Sequence, residues 1–332
     1  IYKTGELYFD VDSVASMEKI KKYNDSLDAW ECSNGFRINE ENGYLSIDSY
    51  EANTLFILEK LLKLSKVSNR GQQESNSRYL RESNLKFEDP LKKVALQKVF
   101  VKSQVMLIYG AAGTGKTTLI NYVSNMTMQS KKLFLTKTHT ALQNLKRRIE
   151  NPGSESDFVS IDSFTKMVTL TDYDVIFIDE CSTVSNQDMN DILKQGQFKL
   201  LILVGDMYQI ESILFGNWFS IAYYAIKGSC RVELKQTYRT SQSGLLAVWN
   251  KVRTLSSDIL EYLTKHGYTK NLDNSIFTKS HDDEIILCLN YDGLYGINNI
   301  NRFLQSNNPN PPVQWDILTY KVDDPILFNE TE

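Results

Sequence analysis

The sequence predicts an α/β fold in which a parallel β-sheet carries helices on both faces. Three observations support this: short apolar runs that alternate with helical segments, a glycine-rich turn after one run, and two acids after another. The five runs are 105–109, 133–136, 175–178, 200–204 and 232–234. Runs of this kind, bounded by Gly, Asp or Thr, are typical of strands buried on both faces.

The composition is that of an ordinary globular protein and excludes some classes of binder. The chain has 332 residues, enough for two or three domains, with 42% hydrophobic and 23% charged residues. Its formal net charge of -4 argues against a generally basic nucleic-acid coat, because such proteins neutralise many phosphates at once. A narrow basic track remains compatible with this charge.

The four cysteines, at positions 32, 181, 230 and 288, lie far apart and make no pair with zinc-site spacing. We therefore expect reduced thiols and a cytoplasmic location. No apolar run approaches the roughly 20 residues of a membrane-spanning helix, so no membrane partner is expected.

The composition and the hydrophobic pattern along the chain predict four segments. Residues 1–67 mix short β-like runs with a helical stretch at 51–66 and indicate an N-terminal domain of unknown role. Residues 68–88 are polar and predict a linker. The five apolar runs fall within 89–238, and a less complete α/β segment with an apolar strand at 285–289 occupies 239–332.

The segment GAAGTGKTT follows the first apolar run and precedes a helical one, and it fits the P-loop pattern GxxxxGK[ST]. The flanking strand and helix disfavour a chance glycine-rich turn. Lys116 is expected to reach the β- and γ-phosphates of ATP, and Thr117 to ligate Mg²⁺. The residues assigned to the nucleotide from this segment are Gly110, Gly113, Thr114, Gly115, Lys116, Thr117 and Thr118.

A pair of acids, Asp179 and Glu180, ends the run at 175–178. Two adjacent acids alone usually mark a solvated turn, but the buried strand before them places both at the carboxyl edge of the sheet, where ligands bind. Asp179 is expected to hold Mg²⁺, and Glu180 to orient and deprotonate the attacking water.

The order of the motifs in residues 89–332 resembles that of superfamily 1 helicases, specifically the RecD-like 1B branch. The resemblance implies a first RecA-like ATPase domain at 89–238 and the start of a second at 239–332, with a small N-terminal domain before them. Gln97, just ahead of the P-loop strand, is similar to the glutamine that reads adenine in this family. An amide suits that edge because it donates and accepts hydrogen bonds at once.

Two further segments resemble the nucleic-acid contacts of the family. Residues 134–145 are similar to motif Ia, which assigns Thr138 and His139 to the nucleic-acid backbone. Residues 160–164 resemble the next contact motif and assign Ser163 and Phe164, although the family often has His where this chain has Asp162.

Residues 203–210 resemble motif III, in which Gln209 senses the γ-phosphate, and 233–240 resemble motif IV. The resemblance implies that Arg239 points into the ATP site from the second lobe; a surface salt bridge is its alternative role. Motifs V and VI of the family are absent from the sequence, so we expect a truncated or partly ordered chain.

These patterns predict an ATP-dependent DNA helicase or translocase that moves 5′ to 3′ on single-stranded DNA. An RNA helicase and a non-motor regulatory P-loop ATPase are the alternatives; Gln209 and Arg239 favour a motor, because a simple switch needs neither. The predicted partner is single-stranded DNA, with RNA possible. A nuclease or another repair or defence partner could bind through the N-terminal domain.

Overall fold

A computed structural model describes residues 6–13, 16–67, 90–99, 103–167, 172–269, 286–315 and 318–324. The chain divides into two compact units, Ile1–Ala247 and Val248–Glu332. Each unit is described by itself below.

The first unit begins with a small antiparallel sheet and three helices. The strands are β1 (Phe9–Asp10), β2 (Ile38–Glu41) and β3 (Tyr44–Ile47), in the order β1-β3-β2. The helices are α1 (Met17–Ser26), α2 (Ala29–Ser33) and α3 (Asp48–Lys66). The helical stretch expected at 51–66 is confirmed.

A six-stranded parallel sheet forms the centre of this unit. Its strands are β4 (Val105–Gly110), β5 (Lys132–Thr136), β6 (Ser156–Ser160), β7 (Asp172–Ile178), β8 (Gln197–Gly205) and β9 (Arg231–Leu234), in the order β6-β5-β7-β8-β4-β9. All five predicted strands are confirmed. The sequence analysis missed β6, which lies at an edge of the sheet and has only two apolar residues, Phe158 and Val159, among its five.

Helices cover both faces of this sheet. They are α4 (Pro90–Val99), α5 (Lys116–Met126), α6 (His139–Arg148), the short α7 (Ile161–Phe164), α8 (Asn186–Gln195) and α9 (Trp218–Ala225). Alternate strand residues enter two separate cores: Leu107 packs on one face and Ile108 on the other. This explains why the strands are continuous apolar runs, and it confirms the predicted α/β fold with a parallel sheet that carries helices on both faces.

Helix α3 belongs to the same core as the large sheet. Its Ile57 and Leu61 are fully buried and pack in the cluster that contains Leu107. The apolar stripe of α3 is thus covered by the large sheet and not by β1–β3 alone, and a separate N-terminal domain at 1–67 stays a prediction. The first compact unit ends at Ala247, and the domain boundary expected at 238 stays a prediction.

The second unit contains the end of α10 (Ser243–Arg253), then α11 (Ile259–Lys265), α12 (Ile297–Ser306) and an antiparallel hairpin of β10 (Pro312–Trp315) and β11 (Leu318–Lys321). The strand expected at 285–289 is wrong over its described residues, 286–289, which form none. Leu287 and Leu289 are 84% and 99% exposed, so no strand of the described residues covers them. A second RecA-like domain remains a prediction.

Two smaller expectations concern membranes and thiols. Within the described ranges, no helix has the length and apolar character that a membrane span requires. The four cysteines are free thiols, with Cys181 and Cys230 buried, Cys288 partly buried and Cys32 exposed.

Candidate nucleotide-binding site

The predicted nucleotide residues meet at one edge of the large sheet. Strand β8 lies between β4 and β7, with Tyr109 opposite Gly205 and Ile178 opposite Leu203. Because the three strands are parallel, the segments that follow them emerge side by side. The P-loop, the Asp179–Glu180 pair and the segment after Gly205 thus share the carboxyl edge, where ligands bind in such sheets.

The P-loop needs glycine for its shape. Gly113 and Gly115 have φ angles of +80° and +84°, in the left-handed region that other residues rarely adopt. At Gly110 an added Cβ would lie 2.6 Å from the Thr114 hydroxyl oxygen. Gly115 then caps α5, whose N-terminal N–H groups and dipole favour an anion.

Lys116 lies folded over this loop. Its Nζ donates to the carbonyl of Gly110 at 2.7 Å and to that of Ala111 at 3.1 Å. Thr114 is buried, and its hydroxyl donates to the Ala111 carbonyl at 2.9 Å, so its side chain supports the loop. Thr117 is half-buried and Thr118 is exposed. The ammonium therefore sits where incoming phosphate oxygens would meet it.

Asp179 and Thr117 supply the oxygen donors that Mg²⁺ prefers. Burial raises the pKa of Asp179 to about 6, although the Glu180 N–H donates to its Oδ1 at 2.9 Å and Lys116 opposes the shift. Among the described residues no group of three or more His, Cys, Asp or Glu could hold a metal. Mg²⁺ usually takes one or two protein ligands together with substrate phosphates and waters, so this donor set fits it.

Glu180 has a backbone conformation that the sequence did not reveal. Its φ is 55°, in the left-handed region, and its carbonyl accepts from the N–H of Thr183 at 2.9 Å and from the Thr183 hydroxyl at 2.8 Å. Such a conformation in a non-glycine residue costs of order 1–3 kcal/mol and tends to occur at functional sites. The turn leads directly into a short 3-10 helix, Cys181–Thr183, in which Cys181 and Ser182 are buried.

The segment after β8 is held by Asp206, which is buried. Its Oδ1 accepts from the N–H of Tyr208 at 3.1 Å, and its carbonyl accepts from the N–H of Gln209 at 3.1 Å. Gln209 itself is exposed. The structure thus brings Gln209 to the nucleotide edge, on a turn fixed by an aspartate.

The segment after β9 lies against the P-loop. The Tyr238 N–H donates to the Gly113 carbonyl at 2.8 Å, and a Cβ added at Gly113 would lie 2.6 Å from the Arg239 Cβ. Arg239 therefore belongs to the same compact unit as the P-loop. This corrects the expectation that it approaches from the second lobe: the hydrogen bond at Tyr238 ties its backbone to the first.

Sequence reasoning missed Lys92, on the same helix as Gln97. Its side chain is buried, and its Nζ lies 4.3 Å from the centroid of the Tyr238 ring. A Cβ at Gly115 would come within 2.6 Å of that Nζ, so the lysine borders the P-loop. Gln97 is exposed, and its contact with adenine stays a prediction. A buried lysine near the start of α4, in the first turn of that helix, gives no motif signal.

The predicted nucleic-acid residues lie at the ends of β5 and β6. Thr138, His139 and Ser163 are exposed, and the Thr138 hydroxyl caps α6 by accepting from the Ala141 N–H at 3.2 Å. Phe164 is only 4% exposed and packs in the core with Ile161. The expectation that its ring contacts a nucleic acid is therefore wrong in this structure, because core packing covers it.

The family described as AAA domain matches residues 92–274 of the chain. No curated protein matches the sequence. Among solved structures, a Pif1 helicase from Bacteroides in complex with ADP-AlF3 and ssDNA is 17% identical, with 69% of this chain and 59% of that chain covered and a TM-score of 0.45. A Pif1 helicase from Candida albicans is 15% identical, with coverages of 69% and 57% and a TM-score of 0.40.

An arterivirus nonstructural protein 10 helicase with DNA is 16% identical, with 48% of this chain and 40% of that chain covered and a TM-score of 0.34. The chain thus spans less than two thirds of each of these structures. The family match covers the P-loop, both acids and the segments after β8 and β9. The predicted resemblance is confirmed at the level of the AAA domain, and the RecD-like branch stays a prediction. The chain belongs to the AAA domain family.

Proposed function

We propose that this chain is the motor part of a superfamily 1B DNA helicase, which hydrolyses ATP to move 5′ to 3′ on single-stranded DNA. One observation carries the proposal. The edge that holds the nucleotide cradle at β4, β7 and β8 continues to β5 and β6, where Thr138, His139 and Ser163 are exposed. Nucleotide and strand would therefore bind along one edge of one rigid sheet.

The hydrolytic roles follow from the positions at that edge. Lys116 and the N–H groups of the P-loop hold the β- and γ-phosphates, and Glu180 orients and deprotonates the attacking water. Thr117 and Asp179 would hold Mg²⁺, which neutralises charge on the phosphates when bound. Gln209 senses the γ-phosphate from the turn fixed by Asp206, and Arg239 stabilises the charge that develops on the transferred group.

An RNA helicase remains the first alternative. Recognition of the 2′-hydroxyl distinguishes RNA helicases from DNA helicases, and the sequence contains no signal for it. A non-motor regulatory ATPase is the second. Against it stands the position of Gln209: a turn held by two hydrogen bonds to Asp206 presents an exposed amide at the nucleotide edge, which is more than a binding switch requires.

The N-terminal segment is proposed to recruit a partner such as a nuclease or another repair or defence protein. This proposal is supported by the difference between the helices of the segment. Helix α3 packs in the core of the large sheet, whereas α1 and α2 contain no buried residue and so leave their surfaces open to a partner. A cytoplasmic location accords with the four free thiols.

ATP hydrolysis by the purified protein tests the proposal, measured alone, with oligo(dT) and with oligo(U). Stimulation by DNA supports a DNA motor, stimulation only by RNA supports the first alternative, and no stimulation supports the second. The Lys116→Ala variant is the blank, because it removes the charge that meets the phosphates. Duplexes with a single 5′ or 3′ overhang then test direction: unwinding from the 3′ overhang alone would contradict the proposed polarity.

A further inference from the structure

An ion pair joins the two segments that are predicted to contact nucleic acid. Thr136 pairs with Ser160 at the ends of β5 and β6, so the residues that follow emerge side by side. Lys137, which follows β5, places its Nζ 2.7 Å from Oδ1 of Asp162 in α7. The same Nζ lies 2.9 Å from Oδ2 of Asp188 in α8. One ammonium therefore faces two carboxylates at the proposed strand-binding edge.

The two carboxylates are held very differently. The Asp188 side chain is 13% exposed, and the residue also belongs to a capping box, in which its N–H donates to the Ser185 hydroxyl at 3.0 Å. It is thus fixed by the start of α8. The Asp162 side chain is 59% exposed and lies in a four-residue helix. Asp162 is therefore the partner that can be replaced without disturbing a helix cap.

The electrostatics at Lys137 also suit an exchange. Burial lowers the pKa of Lys137, but its hydrogen bonds to Asp162 and Asp188 outweigh this and raise the pKa above its ordinary value, so the side chain stays charged. An exposed ion pair is worth only about 0–1 kcal/mol. A phosphate oxygen accepts the same charge-assisted hydrogen bond as a carboxylate oxygen. Replacement of Asp162 by a phosphate would thus cost little.

We propose that Lys137 is a phosphate-binding residue of the strand-binding surface and that Asp162 is its internal competitor, displaced by the phosphate of a bound single strand. Asp188 keeps the ammonium in position during the exchange. This inference rests on the proposed function. It gives Asp162 a role of its own: the carboxylate holds the site when no strand is bound and limits the affinity for one.

The test is a double-mutant cycle read by fluorescence anisotropy with labelled oligo(dT). Asp162→Asn frees Lys137 and removes a repelling charge, so the affinity should rise about threefold to fivefold, the scale of an exposed ion pair. Lys137→Gln should lower the affinity by at least that factor. It should also reduce the slope of log affinity against log salt by about 0.7, as for one lost phosphate contact on a single strand.

The combined variant separates competition from a general charge effect. In the Lys137→Gln background, Asp162→Asn should gain less than half as much on a logarithmic scale. Lys146→Gln, in the last turn of α6, is the matched control and should leave the affinity unchanged. Lys137→Arg keeps the charge beside Asp188 and should retain the wild-type response to Asp162→Asn. Thermal melting verifies that each variant is folded.

Equal gains from Asp162→Asn in both backgrounds would overturn the inference, because Asp162 would then act only through long-range charge. Unchanged affinities in all variants, with a wild type that binds DNA and hydrolyses ATP faster on it, would overturn it as well while leaving the proposed function intact. A wild type that binds neither oligo(dT) nor oligo(U) would refute the proposed function and this inference together.

Discussion

Tyr238 donates its backbone N–H to the carbonyl of Gly113 at 2.8 Å, which fastens the segment after β9 to the P-loop. The Tyr238 ring also receives the Lys92 ammonium at 4.3 Å from its centroid. The P-loop is thus bordered by Lys92, which precedes it in sequence, and by Tyr238, which follows it. A change at Gly113 would be felt at Arg239, whose Cβ occupies the adjacent space.

Gly113→Ala should impair nucleotide binding beyond its effect on stability. The φ of +80° strains any side chain, and the new Cβ would meet the Arg239 Cβ at 2.6 Å. The left-handed conformation alone costs about 1–2 kcal/mol. Gly43→Ala is the matched control, because its φ is also +80° but nothing lies within 4 Å of the added Cβ.

Chemical denaturation measures the effect on stability, and titration with a fluorescent ATP analogue measures the effect on nucleotide binding. Gly113→Ala should lose at least as much stability as Gly43→Ala, and only Gly113→Ala should weaken nucleotide binding, by about tenfold or more if displacement of the loop removes about 1.4 kcal/mol of binding free energy. Equal nucleotide affinities in the two variants would show that the contact with Arg239 does not matter.

Glu180→Gln should keep nucleotide binding and lose hydrolysis. The amide preserves the size of the side chain but cannot take a proton from water, and general-base catalysis contributes about 10²- to 10⁴-fold. Single-turnover hydrolysis and equilibrium binding measure the two quantities separately. Glu150→Gln, an exposed acid after α6, is the control. If the hydrolysis rate of Glu180→Gln is within a few-fold of the wild-type rate, another residue is the general base.

Leu61→Ala should destabilise the first compact unit although Leu61 lies in the predicted N-terminal domain. Leu61 is fully buried in the core shared with Leu107, whereas Leu55 on the same helix is 49% exposed. Truncation of a buried leucine costs about 2–5 kcal/mol, and of an exposed one about 0.5 kcal/mol or less. The urea concentration at the midpoint of unfolding is compared between the two variants, with loss of nucleotide binding as the signal. Equal midpoints would mean that α3 folds independently of the sheet.

The sequence predicted what depends on local pattern. The five apolar strands and the P-loop follow from runs of residues whose chemistry is read position by position, and the structure confirms them. Features that depend on distant partners were missed or misplaced. The core position of Phe164, the place of α3 on the sheet and the attachment of Arg239 to the first unit each follow from contacts between segments far apart in sequence, which periodicity does not show.

The buried Lys132 should make stability depend on pH. Its Nζ donates to the carbonyls of Ser124 at 2.8 Å and Pro152 at 2.6 Å, and burial lowers its pKa to about 8 from an ordinary 10.5. Between these values the unfolded state binds more protons than the folded state. The free energy of unfolding should therefore rise with pH in this window.

The comparison with Lys132→Met isolates this contribution, because that variant cannot titrate there. From pH 8 to 9.5 the wild type should gain about 1.6 kcal/mol relative to the variant. The range stops below the raised pKa of Tyr8 and Tyr173, each about 12. A constant difference between the two proteins across the range would contradict the lowered pKa.

Arg239→Ala should lower turnover far more than nucleotide affinity. The backbone of Arg239 is held beside Gly113 by the neighbouring Tyr238 hydrogen bond. Its Cβ therefore lies next to the P-loop. Negative charge spreads over the transferred phosphoryl group in the transition state, and a guanidinium stabilises that state more than bound ATP. Turnover should fall by a factor on the order of 10³, with affinity within about tenfold.

Lys at position 239 should rescue hydrolysis only in part, because a point charge cannot reproduce the planar two-pronged contact of a guanidinium. Arg147→Ala, an exposed arginine in the last turn of α6, should leave the rate unchanged and controls for a general loss of positive charge. Rates are measured with saturating oligo(dT), so that any step driven by the strand is included. If Arg239→Ala hydrolyses ATP at the wild-type rate under these conditions, Arg239 is a surface residue, and the Tyr238 hydrogen bond to Gly113 serves only to hold the P-loop.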